Sequence, residues 1–240
     1  MTTLEHAMVG AYGVLATGLY RPFGWQLAAM AGIAAVLPDW DGLTIFGGMS
    51  LFDAAHRCWG HGIVSCLLVA TLFAVLDCRF DLVTRTAKCL AILFRLRTEK
   101  PKENKIATTE ESQQSQPIVQ PDVKASIPLA DYLIPRHSSG MAFYTVWIVS
   151  AIAAAISHPF ADMLFSGAAG LSDWDVKIFW PFCDKGLVYP MVPWGDVGVI
   201  AIFFTGMFVM LWQKKHIQLV AIATLILAAA YILLHPYLIN

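Results

Sequence analysis

The stretch HRCWGH, residues 56–61, runs directly into GIVSCLLVATLFAVL, residues 62–76. Two histidines, an arginine and a tryptophan therefore abut a run with no charged residue. The run does not alternate with period two, so it reads as a helix and not as a strand. It approaches the ~20 apolar residues that a membrane span needs. Ionisable side chains are costly to hold near a bilayer, and their presence there points first to function.

The rest of the chain follows the same pattern. Of its 240 residues 58% are hydrophobic and 14% charged, with a mean hydropathy of +0.62. That is too apolar for an ordinary soluble domain. Six apolar runs stand out, at 7–20, 24–37, 62–77, 142–160, 196–212 and 217–235. The expected fold class is all-α, a polytopic transmembrane helical bundle of about six membrane segments. Residues 80–94 put Phe80, Val83, Ala87, Leu90 and Phe94 on one helical face, which suits a helix on the membrane surface as well as an extension of the third run. From Thr98 the composition turns polar, with Pro and Gln, and cannot bury a core. Three parts result: membrane helices with a juxtamembrane helix over 1–97, a flexible loop over 98–140, and a second set of membrane helices over 141–240.

Charge orients this layout. Six crossings put thirteen of the sixteen Lys and Arg on one side and leave Arg57, Lys177 and Lys185 on the other. The positive-inside rule makes the basic side, with the 98–140 loop, cytoplasmic in a cell (inner) membrane. The N-terminus has no basic stretch, with Glu5 and His6 in its place, so it reads as uncleaved. The five cysteines have no paired spacing and imply no disulfide framework. A net charge of -1 gives no bulk attraction for nucleic acid.

The same topology collects metal-type residues. His6 opens the first run. Asp39 and Asp41, in PDWD (38–41), close the second. His56 and His61 precede the third. His158 and Asp162, in HPFAD (158–162), close the fourth. All then lie at the extracytoplasmic helix ends, in one layer. Zinc takes imidazole nitrogen and carboxylate oxygen, and a catalytic zinc uses about three protein ligands. The expected cofactor is a divalent metal, zinc first and manganese as the alternative, with one to three ions. His6, Asp39, Asp41, His61, His158 and Asp162 are the candidate metal ligands. His158 and Asp162, four apart, share a helical face, and Pro159 between them predicts a kink. His56 reads as a ligand or a general acid–base. Arg57 reads as a phosphoryl clamp or a headgroup anchor. Trp180 and Trp194 read as a wall of the site or as part of an aromatic belt. Taken alone, PDWD also fits a turn with a helix cap, and His137, His216 and His235 read as ordinary polar residues.

An N-terminal His (His6), then Pro38-Asp39-Trp40-Asp41, then the HRxxxH of His56 to His61, then the HxxxD of His158 to Asp162, then Trp180-Pro181, resembles the LexA-regulated, membrane-bound, predicted metal-dependent hydrolases, the YdjM-like family. The chain departs from that pattern at Gly42, where the family often has His, and at Gly60, where it often has Thr. The order of His6, Asp39, His61, His158 and Asp162 also resembles, more distantly, the helical zinc-dependent phospholipase C and single-strand nuclease group. These resemblances imply metal-dependent hydrolysis of a phosphate ester or phosphodiester. Location adds the substrate class, a membrane lipid or lipid-linked headgroup. The alternative is a metal-binding or transporting membrane protein without hydrolytic activity. Such a protein should carry polar residues through its whole thickness, whereas 67–76 and 199–212 are apolar.

Overall fold

The first apolar segment starts on a capping box. In the computed structural model, which describes residues 1–98, 140–167 and 173–239, the Thr2 hydroxyl accepts from the Glu5 amide and the Glu5 carboxylate accepts from the Thr2 amide. This reciprocal pairing satisfies two helix-end donors and fixes where α1, Thr3–Thr17, begins. After a single turn, α2 (Tyr20–Phe23), comes α3, Trp25–Val36, which passes into a 3-10 helix over Leu37–Gly47. The second segment is thus longer than its apolar run. Pro38, at the start of the 3-10 stretch, has no amide to give to an α-helical ladder.

Among the described residues six further α-helices follow: α4 (Met49–Ala55), α5 (Ile63–Phe80), α6 (Leu82–Thr98), α7 (Met141–Leu164), α8 (Val197–Trp212) and α9 (Ile217–Ile239), the last two joined by a 3-10 turn, Lys214–His216. Among the described residues there is no strand, only the isolated bridges Phe165–Val192 and Val176–Leu187. Trp25–Gly47, Ile63–Phe80, Met141–Leu164 and Lys214–Tyr237 are long and apolar enough to cross a membrane, and α8 is a shorter apolar helix. The protein is an all-α membrane bundle. The polar segment expected over 98–140, with His137, lies almost wholly outside the described residues.

Small side chains set the packing. Along α5, Cys66, Ala70 and Ala74 recur every four residues and are buried, as are Trp147, Ala151 and Ala155 of α7. α5 packs on α7, and α7 on α3. Such faces let helices approach closely where no water drives them together. α1 lies on α3, and at Gly10 a Cβ would come within 2.4 Å of the Ala31 carbonyl oxygen; only glycine permits that approach. The outward faces carry Leu68, Leu72, Phe208 and Ile226 in exposed positions, as a lipid-facing surface requires.

At the far end of α5 the chain breaks at Asp81, whose φ is 51°. α6 is therefore a separate helix and not a continuation of α5. Asp77 holds the corner: its carboxylate accepts from the Val83 amide and from the Trp147 indole, both at 2.8 Å.

Candidate metal centre

Four elements end together at the other end of the bundle. The start of α1 carries His6. The 3-10 helix after α3 carries Asp39 and Asp41. The turn before α5 carries His56, Arg57 and His61, and the last turns of α7 carry His158 and Asp162. Asp39, His61, His158 and Asp162 each offer a ligand atom, and these atoms all lie within 4.8 Å of one another. His61 and His158 are fully buried and Asp162 nearly so, while Asp39 keeps an accessible edge.

Outer partners fix the rings. His61 Nδ1 donates to Asp41 Oδ2 at 2.9 Å, and His158 Nδ1 donates to the Ala35 carbonyl at 2.7 Å. Those oxygens accept only, so both Nδ1 atoms carry the hydrogen. In a neutral imidazole the other nitrogen then presents a lone pair. The two Nε2 atoms face each other at 3.1 Å, an arrangement that repels unless a positive charge lies between them. Asp162 Oδ2 is 3.2 Å from His61 Nε2, and Asp39 Oδ1 is 3.3 Å from His158 Nε2. The donor set is the imidazole–carboxylate mixture that zinc takes, and each ring is held from behind as metal-bound histidines are. The residues fit a divalent cation. Burial alone would lower the pKa of His61, but the Asp162 and Asp41 carboxylates on either side of the ring outweigh that and raise it, so the pocket favours positive charge at this ring.

His6 flanks this set. Its ring stacks on His158 with centroids 3.6 Å apart, and its Nε2 is 2.9 Å from Asp162 Oδ1. The Met1 amino nitrogen donates to the same oxygen at 2.6 Å. One Asp162 oxygen therefore faces His6 and the other faces His61 and His158. Asp41 stands behind the cluster, between His61 Nδ1 and His56 Nδ1, the latter at 3.3 Å, and it also accepts from the Gly60 amide at 2.9 Å. At Gly60 a Cβ would meet the Pro38 carbonyl oxygen at 1.9 Å, which explains why this chain has glycine there.

Arg57 is buried, with a left-handed φ of 58°. Its guanidinium donates to the Trp174 carbonyl at 2.8 Å and more weakly to those of Asp162 and Phe165, with Nε 3.7 Å from Asp162 Oδ2. It also stacks over the Trp174 ring. The guanidinium thus lies buried behind Asp162, turned to backbone carbonyls. His56 retains some exposure and stacks on Phe52.

The segment 173–195 is strapped over the site end by backbone bonds. Ile63 N donates to Ile178 O, Lys177 N to Arg57 O, and Tyr189 N to Met163 O. Trp194 donates its indole N–H to the Met1 carbonyl. Trp180 runs beside Gly62, which a Cβ would bring to 2.8 Å from the Trp180 carbonyl oxygen. His235 is held elsewhere, by Met191 O and Asp196, and His216 is exposed. α7 stays helical through Pro159, and His158 reaches the cluster from that helix. Sequence reasoning missed Trp174 and the Ala35 carbonyl. Trp174 sits in a DWD that echoes PDWD, a weak cue; a carbonyl leaves no mark in the sequence at all.

A model of the family described as YdjM inner membrane protein matches residues 1–239. No curated protein and no solved structure matches the chain.

Proposed function

The chain belongs to the YdjM inner membrane protein family, and on that premise we propose that it is a membrane-embedded metal-dependent hydrolase that cleaves a phosphate ester or phosphodiester of a membrane lipid. The observation that carries this reading is the pair of opposed Nε2 atoms of His61 and His158, 3.1 Å apart with both Nδ1 hydrogens already committed. Asp39, His61, His158 and Asp162 would hold the metal, with His6 and the Met1 amino group on the other oxygen of Asp162. Zinc is the first choice from the ligand types. A divalent metal there supplies Lewis acidity toward a phosphoryl oxygen and lowers the pKa of a water toward ~7.

The chain's own residues do the rest. Arg57 balances and orients Asp162 without leaving its carbonyl cage. Asp41 holds His61 by one oxygen and His56 by the other. His56 is the partly exposed imidazole of the group, so it is the one able to exchange a proton with a leaving-group oxygen at Nε2. Trp174 closes the side of the site at which Arg57 lies. Below the cluster the helix contacts are made by Ala70, Ala74, Trp147, Ala151 and Ala155. That apolar waist favours a one-ended site over an ion pathway. The bias of Lys and Arg toward the opposite side supports, by the positive-inside rule, a site at the extracytoplasmic face.

The reading is tested by phosphate or phospho-headgroup release from mixed phospholipids in nanodiscs loaded with zinc or manganese. The parent should turn over at least one lipid class, His61→Ala should not, and His56→Ala should bind metal but turn over slowly. Full activity in His61→Ala would overturn the reading.

A further inference from the structure

A cavity of about 1240 Å³ lies between α1, α3 and α8, larger than the ~300–1,000 Å³ of small-molecule sites. Ala29, Ile33, Met207 and Leu211 are among the apolar residues that line it. Its two charged lining residues are Asp39 and Lys214. Asp39 is also one of the four clustered ligand residues, so the cavity reaches the edge of the cluster at that residue. Lys214 follows the C-terminal end of α8 and Asp39 follows that of α3. The cavity therefore extends away from the polar layer along the membrane-spanning helices.

Its length and its opening fit one kind of occupant. Lining residues run from Trp25 to beyond Val36, which at 1.5 Å per residue is about 18 Å. That exceeds half of the ~30 Å hydrocarbon thickness, the depth of one leaflet. Ile33, Leu43 and Leu211 are exposed on its rim, so it opens sideways into the surrounding apolar medium. Its floor includes the small residues Ala7 and Ala11 of α1, giving a smooth channel.

We propose that this groove seats one acyl chain of a phosphate-bearing membrane lipid, with the headgroup phosphate carried to the Asp39–His61–His158–Asp162 cluster. The proposal rests on the hydrolase reading for the headgroup end, and adds how substrate enters and what part of it is recognised. Lipid slides in laterally between α3 and α8. The chain end lies toward Lys214, and the phosphate stops where the apolar lining gives way to Asp39.

The test uses phosphatidic acid with a diazirine near the end of one acyl chain, incorporated into nanodiscs with the metal-loaded full chain. Peptides carrying Trp25–Val36 and Met207–Lys214 should be labelled at least fivefold more than the outward face of α9 around Ile226. Ala29→Trp, which fills the groove from an exposed position, should reduce that labelling to the level of α9. Ile226→Trp should leave it unchanged. Metal content equal to the parent shows that Ala29→Trp has folded. Even labelling around the bundle, labelling that survives Ala29→Trp, or a second copy of the chain cross-linked into the groove would each overturn the proposal. Groove labelling without any phosphate release supports the groove and removes the hydrolase reading alone. Phosphate release that Ala29→Trp leaves intact, together with even labelling, removes the groove alone.

Discussion

The two ends of the α5–α7 pair each bury a carboxylate, and they treat it in opposite ways. At one end Asp77 accepts from the Trp147 indole and the Val83 amide. These two donors are neutral, and with them Asp77 braces the corner that turns α5 into α6. At the other end Asp162 meets the Met1 amino group, His6, His61, His158 and Arg57. Two of those imidazoles have already spent their hydrogens on Asp41 and Ala35. A carboxylate needed only for architecture is satisfied by what the fold supplies. The cluster around Asp162 gathers imidazole nitrogens and carboxylate oxygens into a set that could hold a metal ion.

The sharpest way to break this contrast is to exchange consequences. Asp162→Ala should abolish metal retention and lipid hydrolysis, measured by metal analysis and phosphate release. Asp41→Asn should weaken metal binding by roughly 10–100-fold, the usual cost of losing an outer partner of a ligating histidine, read by titration against a competing chelator. Asp77→Ala should leave metal content unchanged and lower stability by about 1–3 kcal/mol, since buried donors lose their acceptor; thermal unfolding in detergent checks it. His235→Ala, away from both corners, should change neither metal content nor hydrolysis. A loss of metal in Asp77→Ala equal to that in Asp162→Ala would erase the distinction.

The same contrast shows what the sequence makes legible. The His and Asp residues at helix ends are readable because imidazole and carboxylate are rare beside apolar runs and fall at one end of the layout that the apolar runs predict. Asp77 also sits at the end of an apolar run, yet its role depends on Trp147, seventy residues away, and on the break at Asp81. The helical segments are visible as apolar runs, but the 3-10 continuation from Leu37 is not, because Leu43, Ile45 and Phe46 are exposed and set no buried stripe. That continuation brings Asp39 beside His158. The guanidinium of Arg57 is readable as functional chemistry, but its partners are carbonyls of Trp174, Asp162 and Phe165, and carbonyl placement follows from tertiary packing alone. The groove is hidden for the same reason: its lining is drawn mainly from α1, α3 and α8, with residues of neighbouring elements such as Tyr20, Leu43 and Ile217, none of which has an unusual pattern.

Metal content, measured by elemental mass spectrometry on the detergent-purified chain beside a His61→Ala, Asp162→Ala double variant, tests the central claim most directly. The account predicts at least one equivalent of zinc or manganese in the parent and none above background in a variant that still folds. A parent that stays empty after reconstitution with either metal, or a variant that keeps its metal, would contradict it.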